Sequence, residues 1–227
     1  MEKRKAATLI RAVVFDLDGT LVDSLADIAA AVNATLVARG RAEHTLDSYK
    51  VMIGWGLKKL VASASADQPF SEDELEAAYR EVLGLYRARP VIHTKAYAGI
   101  EALLSRLGTR VPLGVFSNKE DGMTKTIVST LFPAAGFRTV VGARPGVPHK
   151  PDPAALLEML TDWGVEPGAC AYLGDSGVDM ETATRAGVEA CGATWGFRDE
   201  AELRATGARE VFTNPDSFSR WLLPRLP

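Results

Sequence analysis

Residues 13–24 read VVFDLDGTLVDS. An apolar run, Ala12–Phe15, stops at two aspartates one residue apart, Asp16 and Asp18, with Gly19, Thr20 and a third aspartate, Asp23, close behind. A short apolar run bounded by a turn signal predicts a buried strand. The aspartate pair at its end has two readings. Asp-Gly is a strong turn signal, and carboxylates end many strands because water is near. Equally, carboxylates at i and i+2 on an unwinding strand end can face one pocket, one as nucleophile and one handling a proton, a division that needs different pKa values. A calcium loop fails on spacing. An EF-hand starting at Asp16 wants Asp or Asn at 20, Gly at 21 and Glu at 27, where the chain has Thr20, Leu21 and Asp27.

Further along, the same kind of run recurs at Val111–Phe116, Arg138–Gly142, Ala169–Leu173, Val188–Ala193 and Glu210–Thr213. Helical patterns come after most of them, at Lys119–Leu131, Asp152–Trp163, Asp179–Ala186, Glu200–Thr206 and Pro215–Leu223. This alternation predicts an α/β, Rossmann-like, mostly parallel sheet with helices on both faces. Ligands of such sheets sit outside the carboxyl ends of the strands.

One span breaks the alternation: residues 24 to about 92 look helical throughout. Ser24 is placed to cap a helix with the stripe Leu25, Ile28, Val32, Leu36, closed by Gly40. Ser71 and Glu74 form a capping-box pattern ahead of Leu75, Tyr79, Val82 and Tyr86. Between them lies IGWGLKKL, residues 53–60. The expected organisation is a sheet domain of residues 1–21 and 93–227 with a helical insertion at 22–92.

The 227 residues, 47% apolar and 24% charged, suit a globular chain with a real core. A net charge of −3 argues against a nucleic-acid binder. Two cysteines, Cys170 and Cys191, cannot build a disulfide framework and are expected as buried, reduced thiols. No stretch approaches the roughly 20 apolar residues of a membrane helix, and the initial MEKRK lacks the apolar core of a signal peptide. A loosely ordered basic tail, a cytoplasmic location, no membrane partner and a monomer or homodimer are the expectations.

The other strand ends supply what the aspartate pair would need. SNK, residues 117–119, offers the Ser117 hydroxyl and backbone amides for phosphate oxygens, although Ser117 or Asn118 could simply cap the next helix. HKPDP, residues 149–153, sets Lys150 before two prolines, where a lone lysine would ordinarily face solvent. GDSGVDMETA, residues 174–183, carries Asp175 and then Asp179, which would also suit the start of a helix dipole.

Together these motifs resemble the haloacid-dehalogenase-like superfamily, in its phosphatases of the phosphoglycolate phosphatase type, over nearly the whole chain. DLDGTLVDS, SNK, HKPDP and GDSGVDMETA look like the family's four motifs, and the helical insertion like its small α-helical cap. AYAGI, residues 96–100, resembles the usual re-entry into the core, with Ala98 in place of proline. TWGF, residues 194–197, resembles the end of the fifth strand.

The resemblance implies a Mg2+-dependent phosphatase of a small phosphomonoester, phosphoglycolate in the first place. Asp16 would be the nucleophile that forms an aspartyl-phosphate, and Asp18 the acid/base. Mg2+ would be held by the Asp16 carboxylate, the Asp18 backbone carbonyl and Asp175, with Asp179 orienting a metal-bound water or supporting the site from behind. Lys150 would offset the charge of nucleophile and phosphate. Ser117, with backbone amides near Leu17, Gly19 and Asn118, would hold phosphate oxygens. Dehalogenases of the superfamily lack the second aspartate, since a halide needs no proton. Sugar-phosphate phosphatase, pyrophosphatase, phosphomutase and phosphonate hydrolase remain alternatives on the same scaffold, the last needing a Schiff-base lysine such as Lys58 or Lys59. A binding module that has lost its chemistry would be expected to lack one of Asp16, Asp18, Lys150 or Asp175. Gly54 and Gly56 suggest a loop dipping toward substrate, and Trp55 either packs on the sheet domain or belongs to the insertion's own core.

Overall fold

A computed structural model describes residues 9–227, so the MEKRK tail lies outside the described residues. The elements are β1 (Ala12–Phe15), β2 (Val22–Asp23), α1 (Leu25–Ala38), α2 (Leu46–Met52), α3 (Leu57–Ala64), α4 (Glu72–Ala88), β3 (Lys95–Ala96), α5 (Ile100–Leu107) and β4 (Leu113–Glu120). Next along the chain are α6 (Asp121–Leu131), β5 (Thr139–Ala143), α7 (Ala154–Trp163), β6 (Cys170–Gly174), α8 (Gly177–Ala186), β7 (Glu189–Ala193), α9 (Glu200–Ala205), β8 (Glu210–Phe212) and α10 (Pro215–Leu222).

Six strands form one sheet in the order β5-β4-β1-β6-β7-β8, with every pair parallel. The chain starts in the middle, builds outward to one edge, and crosses back to build the other. The reversal falls between β1 and β6, and a sheet of this kind opens its ligand crevice at that point. The strands are apolar on both sides because both faces are covered. Val13 and Phe15 face a cluster with Leu103 and Leu104 of α5, Ile127 of α6 and Phe218 of α10. Ala12 and Val14 face the other, with Leu156 and Met159 of α7, Met180 of α8 and Leu203 of α9.

Helices α1 to α4 form a third apolar cluster, built on Leu25, Ile28, Val32 and Leu36 against Tyr49, Leu60, Ala78, Val82 and Tyr86. Met123 of α6 belongs to that cluster and Phe197 packs on it, so the helices are seated against the strand ends. Both chain crossings run through a small antiparallel pair, in which Val22 faces Ala96 and Asp23 faces Lys95. The capping box of Ser71 and Glu74 forms as the pattern predicts. Ser24 does not behave as expected. It sits at the start of α1 but its side chain makes no capping bond, because its hydroxyl is drawn instead to the Asp18 carboxylate.

Candidate active site

Register brings the first carboxylates together. Phe15 pairs with Leu173, and the Asp16 amide donates to the Leu173 carbonyl at 2.9 Å. Asp16 and Asp175 therefore leave adjacent strands at the same height. One ligand oxygen from each of Asp16, Asp175 and Asp179 falls within 4.8 Å of the others, and all three residues are buried. Lys150 stands among them, 4% exposed, donating to Asp16 Oδ1 at 2.8 Å, Asp179 Oδ1 at 2.6 Å and the Tyr172 hydroxyl at 3.1 Å. The solvent-facing fate of a lone lysine does not apply: its charge is held in place by two carboxylates.

Three buried carboxylates against one ammonium leave the cluster short of positive charge. Burial, together with repulsion from Asp179, raises the Asp16 pKa to about 7, although Lys150 works against the rise. Burial, then Asp179 and Asp16, push Asp175 well above the usual carboxylate range. The donor set is all oxygen, which suits a hard divalent cation. Both oxygens of Asp179 already have protein donors, Lys150 and Tyr172 on Oδ1, and the Ser176 amide and hydroxyl on Oδ2 at 3.1 and 2.5 Å. Asp16, by contrast, has a partner only at Oδ1 among the described residues. Asp175, like Asp179, accepts on both oxygens, from the Thr20 hydroxyl at 3.4 Å and the Phe197 amide at 2.8 Å. The three carboxylates together fit a metal, and Asp179 in addition holds Lys150.

Glycines make the approach feasible. A Cβ on Gly19, whose φ is +87°, would lie 2.1 Å from Asp175 Oδ2, and one on Gly174 would lie 2.3 Å from Asp179 Cβ. TWGF closes the same loop. Trp195 Nε1 donates to the Thr20 carbonyl at 3.0 Å, the Phe197 amide donates to Asp175 Oδ2 at 2.8 Å, and Gly196 has no room for a side chain against Gly19 and Asp175.

One expected phosphate contact, the Gly19 amide, is otherwise engaged. The Gly19 amide donates to the Val22 carbonyl at 2.8 Å, so it is consumed by the loop's own turn, and Gly19 serves the site by lacking a side chain. The Asn118 side chain is also committed. Its Oδ1 accepts from the Lys150 amide at 2.8 Å, and its Nδ2 donates to the Lys150 and Gly54 carbonyls at 3.1 and 3.0 Å. Asn118 thereby fixes the backbone that carries Lys150. Neither Ser117 nor Asn118 caps α6, because β4 continues through both and Glu120 caps instead, accepting from the Met123 amide at 2.9 Å. Ser117 lines the cavity with its hydroxyl accepting from the Lys119 amide at 3.2 Å.

Asp18 projects into the same cavity under contacts that motif reading did not supply. Lys119 Nζ lies 2.8 Å from Asp18 Oδ1 and 2.9 Å from the Tyr86 hydroxyl. Burial opposes the Lys119 charge, but Asp18 and Tyr86 outweigh it, so its pKa rises and the ammonium persists. Sequence reading also missed Tyr172 and Arg198, whose partners Lys150 and Phe116, and Lys50, Val51 and Ile53, lie far along the chain.

The cavity measures about 60 Å³, space for on the order of four to six waters. Its floor is the strand-end chemistry and its roof is apolar, from Ile28, Ile53, Leu57 and Leu60, with Gly54 and Gly56 at the rim. Lys58 and Lys59 do not line it. Lys58 pairs with Glu76 at 2.8 Å on the surface, and Lys59 lies 4.7 Å above the ring of Trp55, which is 42% exposed. Trp55 therefore joins neither the sheet domain nor the insertion's core.

The haloacid dehalogenase-like hydrolase family model matches residues 13–193. The chain belongs to the haloacid dehalogenase-like hydrolase family. A phosphoglycolate phosphatase from Rhodospirillum rubrum is 35% identical over 219 residues, covering 93% of this chain and 90% of that one. Another from Aquifex aeolicus is 34% identical over 189 residues, covering 83% and 86%. A crystal structure of a predicted phosphoglycolate phosphatase from Haemophilus somnus shares the fold, with a TM-score of 0.86, 24% identity and coverage of 95% and 99%. The resemblance read from the four motifs is borne out, and the chain is an enzyme of this hydrolase family. Among the described residues no helix is long and apolar enough to cross a membrane.

Proposed function

We propose that this hydrolase is a Mg2+-dependent phosphatase of a small phosphomonoester, working through an aspartyl-phosphate on Asp16. The observation that carries the proposal is Asp16 itself: Lys150 holds Oδ1, and Oδ2 has no partner among the described residues. Lys150 offsets the repulsion between that carboxylate and a phosphate dianion, and with Ser117 it stabilises charge spread over the transferring group. Bound to Asp16, the Asp18 carbonyl and Asp175, Mg2+ would add further positive charge against the phosphate oxygens. Asp18 gives a proton to the departing alcohol and takes one from the water that releases phosphate, a role worth roughly 10²–10⁴ in rate. The apolar roof keeps other water out.

Phosphoglycolate is the first substrate to test, because the relatives from Rhodospirillum rubrum and Aquifex aeolicus carry that name and the cavity is small. We also propose the division into a sheet domain of residues 1–21 and 93–227 and a cap of 22–92; the separate apolar cluster of α1 to α4 supports it. A reducing, cytoplasmic compartment accords with Cys170 and Cys191, both buried and unpaired.

The test is phosphate release from a panel of small phosphoesters with Mg2+. Wild type is expected to turn over at least one of them, and Asp16→Asn to lose more than about 10³-fold. Full activity in Asp16→Asn would remove Asp16 from the nucleophile role.

A further inference from the structure

Lys119 is a buried cation at the end of β4 that lines the same cavity as Asp16, Asp18 and Lys150. A buried ammonium is costly unless paired, and this one is paired with Asp18. Two donors converge on a single oxygen there. Lys119 Nζ reaches Asp18 Oδ1 at 2.8 Å from the end of β4, and Ser24 Oγ reaches the same Oδ1 at 2.5 Å from the start of α1. Oδ2 has no partner among the described residues. The torsion that exchanges the two oxygens of an aspartate is broad and nearly two-fold, so donors on one oxygen choose which face the other presents. Lys119 is in turn oriented by Tyr86 of α4, whose hydroxyl accepts from Nζ at 2.9 Å and whose ring centre lies 4.7 Å away.

We propose that Lys119, held by Tyr86, is the positioning residue for Asp18, pinning Oδ1 so that Oδ2 faces the leaving-group oxygen. The proposal rests on the reading of Asp18 as the proton-transfer group. In the first step an Asp16 oxygen bonds to phosphorus as the ester P–O bond breaks, and the proton on Asp18 Oδ2 passes to the departing oxygen. In the second, a water oxygen bonds to phosphorus as the Asp16–phosphorus bond breaks, and a water proton returns to Asp18 Oδ2. Because Tyr86 belongs to the helical insertion, Asp18 is fully positioned only while the insertion covers the strand ends.

The test separates proton delivery from everything else through the leaving group. The nitrophenolate of p-nitrophenyl phosphate departs without a proton, whereas the alcohol of phosphoglycolate needs one. First-turnover rates on both esters are measured for wild type, Lys119→Met, Tyr86→Phe and Asp18→Asn, with thermal unfolding to show that each variant folds. Lys119→Met is expected to lose about 100-fold and Tyr86→Phe about 10-fold in kcat on phosphoglycolate. KM should stay within about twofold, and the first-turnover burst of nitrophenolate within about threefold of wild type, as for an effect confined to proton transfer. Equal losses on the two esters, or a change confined to KM, would overturn the positioning role. Tyr86→Phe carries the test alone if Lys119→Met does not fold. If Asp18→Asn itself fails to discriminate between the esters, the reading of Asp18 falls and this proposal with it. If Asp18→Asn discriminates and the Lys119 and Tyr86 variants do not, only the proposal falls.

Discussion

Asp27 sits one turn into α1, where the pattern suggests no more than an acidic residue near a helix start. In the folded chain its carboxylate accepts from the amides of Ile92, His93 and Thr94 at 3.0, 3.0 and 2.8 Å, and from the Thr94 hydroxyl at 2.6 Å. It ties the return path of the insertion to its first helix. Burial pushes its pKa up, but the bonds from Thr94, His93 and Ile92 prevail and the net shift is downward. Folding therefore favours the ionised form. Its contribution is fully present above the unfolded value of about 3.9 and is lost as pH falls through the lower folded value. Asp27→Asn is expected to cost about 2–3 kcal/mol at pH 7 in urea unfolding, and the gap from wild type should narrow below about pH 4. Asp16, Asp18 and Asp175 were legible because they follow the ends of predictable strands, and Lys150 because it stands in the HKPDP motif. The duties of Ser24, Gly19 and Asn118 were not, since each is set by a partner that only the folded loop brings near.

At the scale of elements, the apolar runs and helical stripes foretold most of the fold. β1 spans Ala12–Phe15 as read, and the other sheet strands fall within a few residues of expectation. The two-residue strands β2 and β3 have no periodicity to read. Helix α5 is missing from the sequence expectation although Ile100, Leu103, Leu104 and Leu107 carry the right spacing. Arg198, in the connection from β7 to α9, shows what spacing cannot reveal. Its guanidinium donates to the carbonyls of Lys50, Val51 and Ile53, the last at 2.8 Å, and so closes the C-terminus of α2. Those carbonyls lack helical partners and favour a cation. Arg198 and Asn118 together hold the IGWG loop over the cavity. Arg198→Ala is expected to raise KM about tenfold with a smaller change in kcat, the equivalent of losing one charged hydrogen bond in the closed arrangement. Steady-state kinetics on any ester that is turned over will read it; an unchanged KM would detach Arg198 from closure.

For the whole molecule, the folded state assembles three carboxylates that an unfolded chain keeps apart. A ligand that binds only the folded state stabilises it by about 2.7 kcal/mol at 100 times its Kd. For a chain of this size that corresponds to roughly 5–10 °C in Tm. Mg2+ is expected to raise the melting temperature by that order, EDTA to reverse it, and Asp175→Asn to abolish the response in a thermal-shift assay. A shift that survives Asp175→Asn would place the metal elsewhere.

Local pattern was enough for the parallel sheet and its strand ends, because period and punctuation are properties of neighbours in the chain. Which donors the residues there meet depended on contacts across long separations. Lys150 meets Asp16, Lys119 meets Tyr86 and Asp18, and Asn118 meets Gly54, each pair joined only when β1, β4 and β6 align and the helices close over them. VVFDLDGTLVDS announced two carboxylates at a strand end; packing occupied one oxygen of each and left the other without a partner among the described residues.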